Sequence, residues 1–103
     1  MNMFCVLIDW EDGVLVLCPQ GEIDFHTAPA LTEAVREAEG PWRDVVVDLS
    51  GVPFMDSSGV HALVDVLHRC RARGGRLTAR GVREQPARLL DLVGLTGVFT
   101  AAN

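Results

Sequence analysis

Asp44-Val45-Val46-Val47-Asp48-Leu49, then Phe54-Met55-Asp56-Ser57-Ser58-Gly59, then Val60, Leu63, Val64, Leu67 and Cys70: the stretch from 44 to 70 decides the fold. The first segment is a short apolar run flanked by acids and reads as a buried strand. The last set recurs at the i, i+3, i+4, i+7, i+10 spacing of one helix face. Two adjacent hydroxyls therefore stand where a helix begins, next to an aspartate and a glycine that lets a partner approach closely. A helix N-terminus presents free N–H groups and about half a positive charge, so it can hold a phosphate. Ser57 and Ser58 are thus candidates for a reversible phosphorylation switch. Helix capping alone is the plainer reading, because Asp and Ser are preferred N-cap residues.

Working outward, Phe4 to Ile8 and Val14 to Cys18 are apolar runs separated by Asp9-Trp10-Glu11-Asp12-Gly13, and Asp-Gly between strands signals a hairpin. Pro19-Gln20-Gly21 is expected to end the second strand. Thr27 is placed to cap a helix with Pro29 in its first turn and Leu31, Ala34, Val35 and Ala38 on its buried stripe, stopped by Gly40-Pro41. The helix after the motif is expected over 57–73, closed by Gly74-Gly75, followed by a short strand from Arg76 to Arg80. Pro86, Leu89, Leu90 and Val93 line a last helix ending at Gly94, and Val98 and Phe99 suggest a final strand. The order β-β-α-β-α-β-α(-β) predicts one α/β domain over 1–103, a mixed sheet of about four or five strands with helices packed on it. Ligands and switches in such sheets favour the carboxyl ends of parallel strands. Two turns fit that position, 21–27 and 56–58, and would gather Glu22, Asp24 and Asp56 around the serines if they are neighbours.

At 103 residues and 49% hydrophobic content, the chain has enough apolar material for a single core without staples. No run of about 18 apolar residues is present, and Met1 to Trp10 lacks the basic start of a secretory signal. Cys5, Cys18 and Cys70 are widely spaced in apolar patterns and read as buried thiols, which points to a reducing compartment, the cytoplasm. The net charge of −5 is lopsided: residues 1–56 hold 11 acids and 2 arginines, residues 57–103 hold 3 acids and 7 arginines. An arginine group (Arg69, Arg71, Arg73, Arg76, Arg80, Arg83) raises nucleic acid as a partner, but no aromatic residue is interleaved and the total is acidic. A solvated helix end and strand rim fits better, so neither direct nucleic-acid binding nor membrane association is expected. The small acidic surface suits a monomer.

Three segments resemble the STAS domain, and within it the bacterial anti-sigma factor antagonists: Gly21-Glu22-Ile23-Asp24-Phe25-His26-Thr27-Ala28, the run from Val45 through Gly59, and Leu89-Leu90-Asp91-Leu92-Val93-Gly94-Leu95. They follow in family order and spacing along essentially the whole chain. The resemblance implies a partner-switching role, with an anti-sigma factor that is also a serine kinase as the binding partner. The unmodified domain would capture that kinase and release a sigma factor. Phosphorylation would end the capture, and a metal-dependent (PPM-type) serine phosphatase would restore it. By the same resemblance the modified residue is the serine after the aspartate, Ser57, and less readily Ser58. The contact surface would include Glu22, Asp24, Asp56, Ser57, Ser58, Gly59 and His61, with no cofactor.

Other readings fare worse. Ser57 with His61 one turn on hints at a nucleophile, but there is no Gly-x-Ser-x-Gly elbow and only Asp65 is available to orient the imidazole. His61, Asp65 and His68 share a helical stripe without a visible fourth metal ligand, and exposed polar face is the simpler account. Gly74-Gly75 lacks the Gly-Lys-Ser/Thr of a phosphate-binding loop. A receiver domain fails because strict β-α alternation is missing at the start. A STAS module serving as scaffold or sensor without phosphorylation is the remaining alternative. Trp10 and Trp42 are read as turn residues.

Overall fold

The computed structural model describes residues 3–95 and 100–101. Two strands come first, β1 (Cys5–Glu11) and β2 (Val14–Gln20), joined by Asp12 and Gly13, which both take positive φ, 53° and 80°. That is the mirror-image turn whose twist matches a hairpin, and Gly reaches it without strain. Both strands run further than their apolar runs suggest. In β1, Asp9, Trp10 and Glu11 continue the ladder up to the turn, with Glu11 opposite Val14. Pro19 is tolerated inside β2 because the pairing of β2 with its next neighbour stops at Leu17.

Helix α1 (Ala28–Glu37), β3 (Val45–Asp48), α2 (Ser57–Ala72), β4 (Leu77–Arg80), α3 (Glu84–Leu92) and β5 (Thr100–Ala101) complete the chain. The sheet order is β1-β2-β3-β4-β5, antiparallel at the first pair and parallel thereafter. Val98 and Phe99 lie outside the described residues; the last described strand is the pair that follows them.

Side chains alternate across the sheet. Leu15, Val45 and Leu77 form one row, Leu17, Val47 and Ala79 the next, and both rows are buried. Leu31 and Val35 of α1, Leu63, Val66, Leu67 and Cys70 of α2 and Leu90 of α3 join them in one core, so the helices cover this face. Val93, expected in the stripe, is exposed just past the end of α3.

Trp42 is buried against the core, and its indole N–H donates to the Ala38 carbonyl at 3.1 Å. The Arg73 guanidinium lies 3.8 Å from the ring centroid and donates to the carbonyls of Gly40 and Trp42. This cation–π stack fastens the end of α2 to the α1–β3 connection. Trp10 sits in β1, half exposed. Of the three thiols only Cys70 is buried, which pushes it up to about 11; Cys18 is half-buried and Cys5 exposed, because β1 is an edge strand. No helix among the described residues is long and apolar enough to cross a membrane.

On the other face Arg80 bridges strands. It donates to Asp48 at 3.1 Å and reaches Glu11 with both terminal nitrogens, at 3.3 and 3.2 Å. The Ser50 hydroxyl is the main group holding the Asp48 carboxyl below its ordinary value; desolvation opposes it, and the Ser50 amide and Arg80 reinforce it. A carboxylate depressed in the fold stabilises above its unfolded pKa, about 3.9, and loses that contribution as pH falls through the folded value. Urea midpoints measured from pH 5 down to pH 2 should therefore fall less steeply for Asp48→Asn than for the wild type. Equal slopes would show that Asp48 is not linked to folding.

Gly59 is buried under Met55, which is itself fully buried. A Cβ there would overlap Met55 Cγ and lie 2.7 Å from its sulfur and 3.0 Å from Ile23 Cγ2. The glycine thus seats α2 on Met55, and Gly59→Ala should cost about 1–3 kcal/mol as overpacking. An unchanged urea midpoint in that variant would mean that Met55 repacks freely.

Candidate functional site

The two acidic turns expected to be neighbours are joined by backbone. Ile23 and Met55 form a parallel bridge beyond the ends of β2 and β3. The Ile23 N–H donates to the Phe54 carbonyl and the Asp56 N–H donates to the Ile23 carbonyl, both at 3.0 Å. Asp24 follows Ile23 and Asp56 follows Met55, so the two acids leave the bridge side by side at the carboxyl end of the parallel strands.

Each turn is held by its own carboxylate. Asp24 Oδ1 accepts from the His26 N–H at 2.9 Å and the Thr27 N–H at 3.1 Å. Thr27 makes no capping bond into α1. Its hydroxyl turns back, donating to the Glu22 carbonyl at 2.8 Å and accepting from the Asp24 N–H at 2.9 Å. The helix entry is thus organised by Asp24, whose backbone carbonyl takes the Thr27 and Ala28 N–H groups. Desolvation works against its charged form, but the Thr27 and His26 amides and the Thr27 hydroxyl outweigh it and keep the Asp24 carboxyl below its ordinary value. Glu22 is exposed beside it.

Asp56 is the N-cap of α2: its Oδ1 accepts from the Ser58 N–H at 2.8 Å, and its carbonyl receives the Gly59 N–H. Ser57 is the first helical residue and is exposed, whereas Ser58 is half-buried. The two hydroxyls therefore differ in access. Gly59 lies beneath this surface, occupied with Met55, and does not offer a close approach to a partner.

His61 is exposed and lines an open groove of about 490 Å³ between α1 and α2, together with Ser58, Phe25, Pro29, Asp65 and Arg69. Asp65 is paired with Arg69 at 3.0 Å and is not the orienting partner of an imidazole. Among the described residues no three His, Cys, Asp or Glu side chains converge as metal ligands. Two further features were not among the expected site residues. Phe25 is 68% exposed and its ring lies 3.9 Å from that of His26, an apolar group presented at the rim of the turn. Gln85, from α3, hydrogen-bonds both backbone groups of Met55. An aromatic residue inside a polar turn signals the first; nothing local signals the second.

Residues 7–103 match the model of the STAS domain. The chain is 32% identical over 79 residues to the anti-sigma-B factor antagonist of Bacillus subtilis, covering 77% of this chain and 72% of that protein. It is 32% identical over 104 residues to the anti-sigma-B factor antagonist of Listeria monocytogenes, covering 100% and 91%. Among solved structures, an anti-sigma factor antagonist from Mycobacterium paratuberculosis aligns with a TM-score of 0.82 at 30% identity, covering 96% of this chain and 85% of that one. The unphosphorylated form of SpoIIAA aligns with a TM-score of 0.83 at 20% identity, covering 96% and 89%, a likeness of fold. With a domain match over nearly the whole chain and relatives aligned along most of their own length, the chain belongs to the STAS domain family, in the company of the anti-sigma factor antagonists.

Proposed function

We propose that the chain is an anti-sigma factor antagonist whose docking surface is switched at Ser57. The unmodified surface (Glu22, Asp24, Asp56, Ser57, Ser58 and His61) captures an anti-sigma factor that is also a serine kinase, and a sigma factor is released. The kinase then ends the capture: Ser57 Oγ bonds to the γ-phosphorus of ATP, the P–O bond to ADP breaks, and the hydroxyl proton passes to a base on the kinase. A PPM-type serine phosphatase resets the surface by hydrolysis. The proposed setting is the cytoplasm, and the domain acts as a monomer.

One observation carries this reading: the exposed Ser57 at the first position of α2 directly follows the capping Asp56, in a turn that backbone hydrogen bonds tie to the turn carrying Asp24. The names of the relatives support the partner class. A phosphate adds about −1.5 to −2 charge. The end of α2 offsets part of it, but Asp56 already occupies the Ser58 N–H, and neither it nor Asp24 welcomes a further anion. A docked partner would also have to strip water from the phosphate, so even a neutral surface would reject it. Charge and desolvation suffice, without a large motion.

Incubation of the chain with the kinase and ATP should add one phosphate to the intact mass, lost in Ser57→Ala but kept in Ser58→Ala. Ser57→Ala should hold the partner with or without ATP, and pull-down with it should identify that partner. Ser57→Asp should bind roughly a hundredfold more weakly, the scale of a misplaced charge at an interface. No mass gain, with complex formation indifferent to ATP, would replace the switch by the scaffold reading.

A further inference from the structure

The turn before Ser57 is gripped from both edges. On one edge the backbone of Ile23 pairs with Phe54 and Asp56. On the other the Gln85 side chain accepts from the Met55 N–H at 2.8 Å through Oε1 and donates from Nε2 to the Met55 carbonyl at 2.9 Å. A primary carboxamide carries a donor and an acceptor side by side, the same pair that a strand residue offers. Gln85 therefore stands in for a neighbouring strand where none runs, 30 positions away in sequence.

Packing does not require this residue. Gln85 is half-buried in the first turn of α3, where an apolar side chain of similar size would fill the same space. Such a side chain would leave the backbone groups of Met55, a fully buried residue, without partners on that edge, which is the costly outcome. The carboxamide is suited to backbone control of one residue, and that residue lies two positions before the phosphate acceptor.

We propose that Gln85 is a positioning residue for Ser57: its two bonds fix the backbone of 54–56 and so the direction in which the hydroxyl projects from the start of α2. The inference rests on the reading of Ser57 given above. Transfer to a hydroxyl requires the reacting atoms about 3–3.5 Å apart and aligned, and small misplacements are costly in rate. Releasing one edge of the turn spreads the hydroxyl over more positions. Turnover should suffer, while the docking surface as a whole stays in place.

The test uses the full chain with Gln85→Ala and Gln85→Glu. Amide hydrogen exchange is followed by NMR at Met55, with Val46 and Val47 of β3 as references, and phosphorylation is followed with the kinase recovered on Ser57→Ala. In Gln85→Ala, exchange at Met55 should accelerate about three- to tenfold relative to the references, the scale of one lost hydrogen bond. Its kcat should fall roughly tenfold with KM nearly unchanged. Gln85→Glu keeps an acceptor for the Met55 N–H but no donor for the carbonyl, and should fall between Ala and wild type in both readouts. Met55 exchange that tracks Val46 and Val47 overturns the proposal. So does a freed Met55 amide with wild-type kcat, or a raised KM at unchanged kcat. If the wild-type chain accepts no phosphate, the reading of Ser57 fails instead, and the exchange rates still decide whether Gln85 holds the turn.

Discussion

Two backbone hydrogen bonds, from Ile23 to Phe54 and from Asp56 to Ile23, hold the candidate site together. They extend the β2–β3 partnership past the point where both strands have ended. Together with the Gly21 N–H to Gly51 carbonyl bond, they join the two turns that carry Asp24 and Asp56. With them, the position of one carboxylate fixes that of the other, and the start of α2 is fixed to both. The bridge lies over a buried base: Ile23 and Met55 are inaccessible to solvent, and Gly59 lets the helix settle directly on the methionine. Core packing and site geometry are the same fact seen from two sides.

Three of the six arginines that suggested a polyanion surface have side-chain partners within the fold. Arg80 ties Glu11 to Asp48 across the open face, Arg73 stacks on Trp42, and Arg69 answers Asp65. The acidic residues of the candidate site have different duties: Asp24 and Asp56 each spend an oxygen on their own turn. Their charge remains near Ser57 while their geometry is fixed by backbone amides. A carboxylate bonded to the amides of its own turn is a stationary charge.

Periodicity made the element order legible, because Val45-Val46-Val47 and the Val60-to-Cys70 stripe admit few alternatives, and Asp12-Gly13 named its own turn. Properties set by distant neighbours stayed hidden. Strand β1 reaches Glu11 because β2 offers a partner, although Asp9 and Glu11 read as loop. Thr27 looked like a cap, yet its hydroxyl oxygen accepts from the Asp24 N–H and not from an amide of α1. Gly59 looked like an opening for a partner, but its missing side chain is taken up from within. Trp42 packs into the core and also meets Arg73, some thirty residues later, on its ring face. For Gln85 no local pattern exists, since a carboxamide pairing with remote backbone leaves no periodic trace.

Helix α2 is pinned at both ends, by Met55 under Gly59 and by the Arg73–Trp42 stack. A helix held in this way is seated at its start by core packing and at its end by a stacked cation. Glu22, Phe25, His26 and His61 are exposed and take no part in either clamp. Those rim positions can therefore be rewritten while the packing that seats α2 is left unaltered.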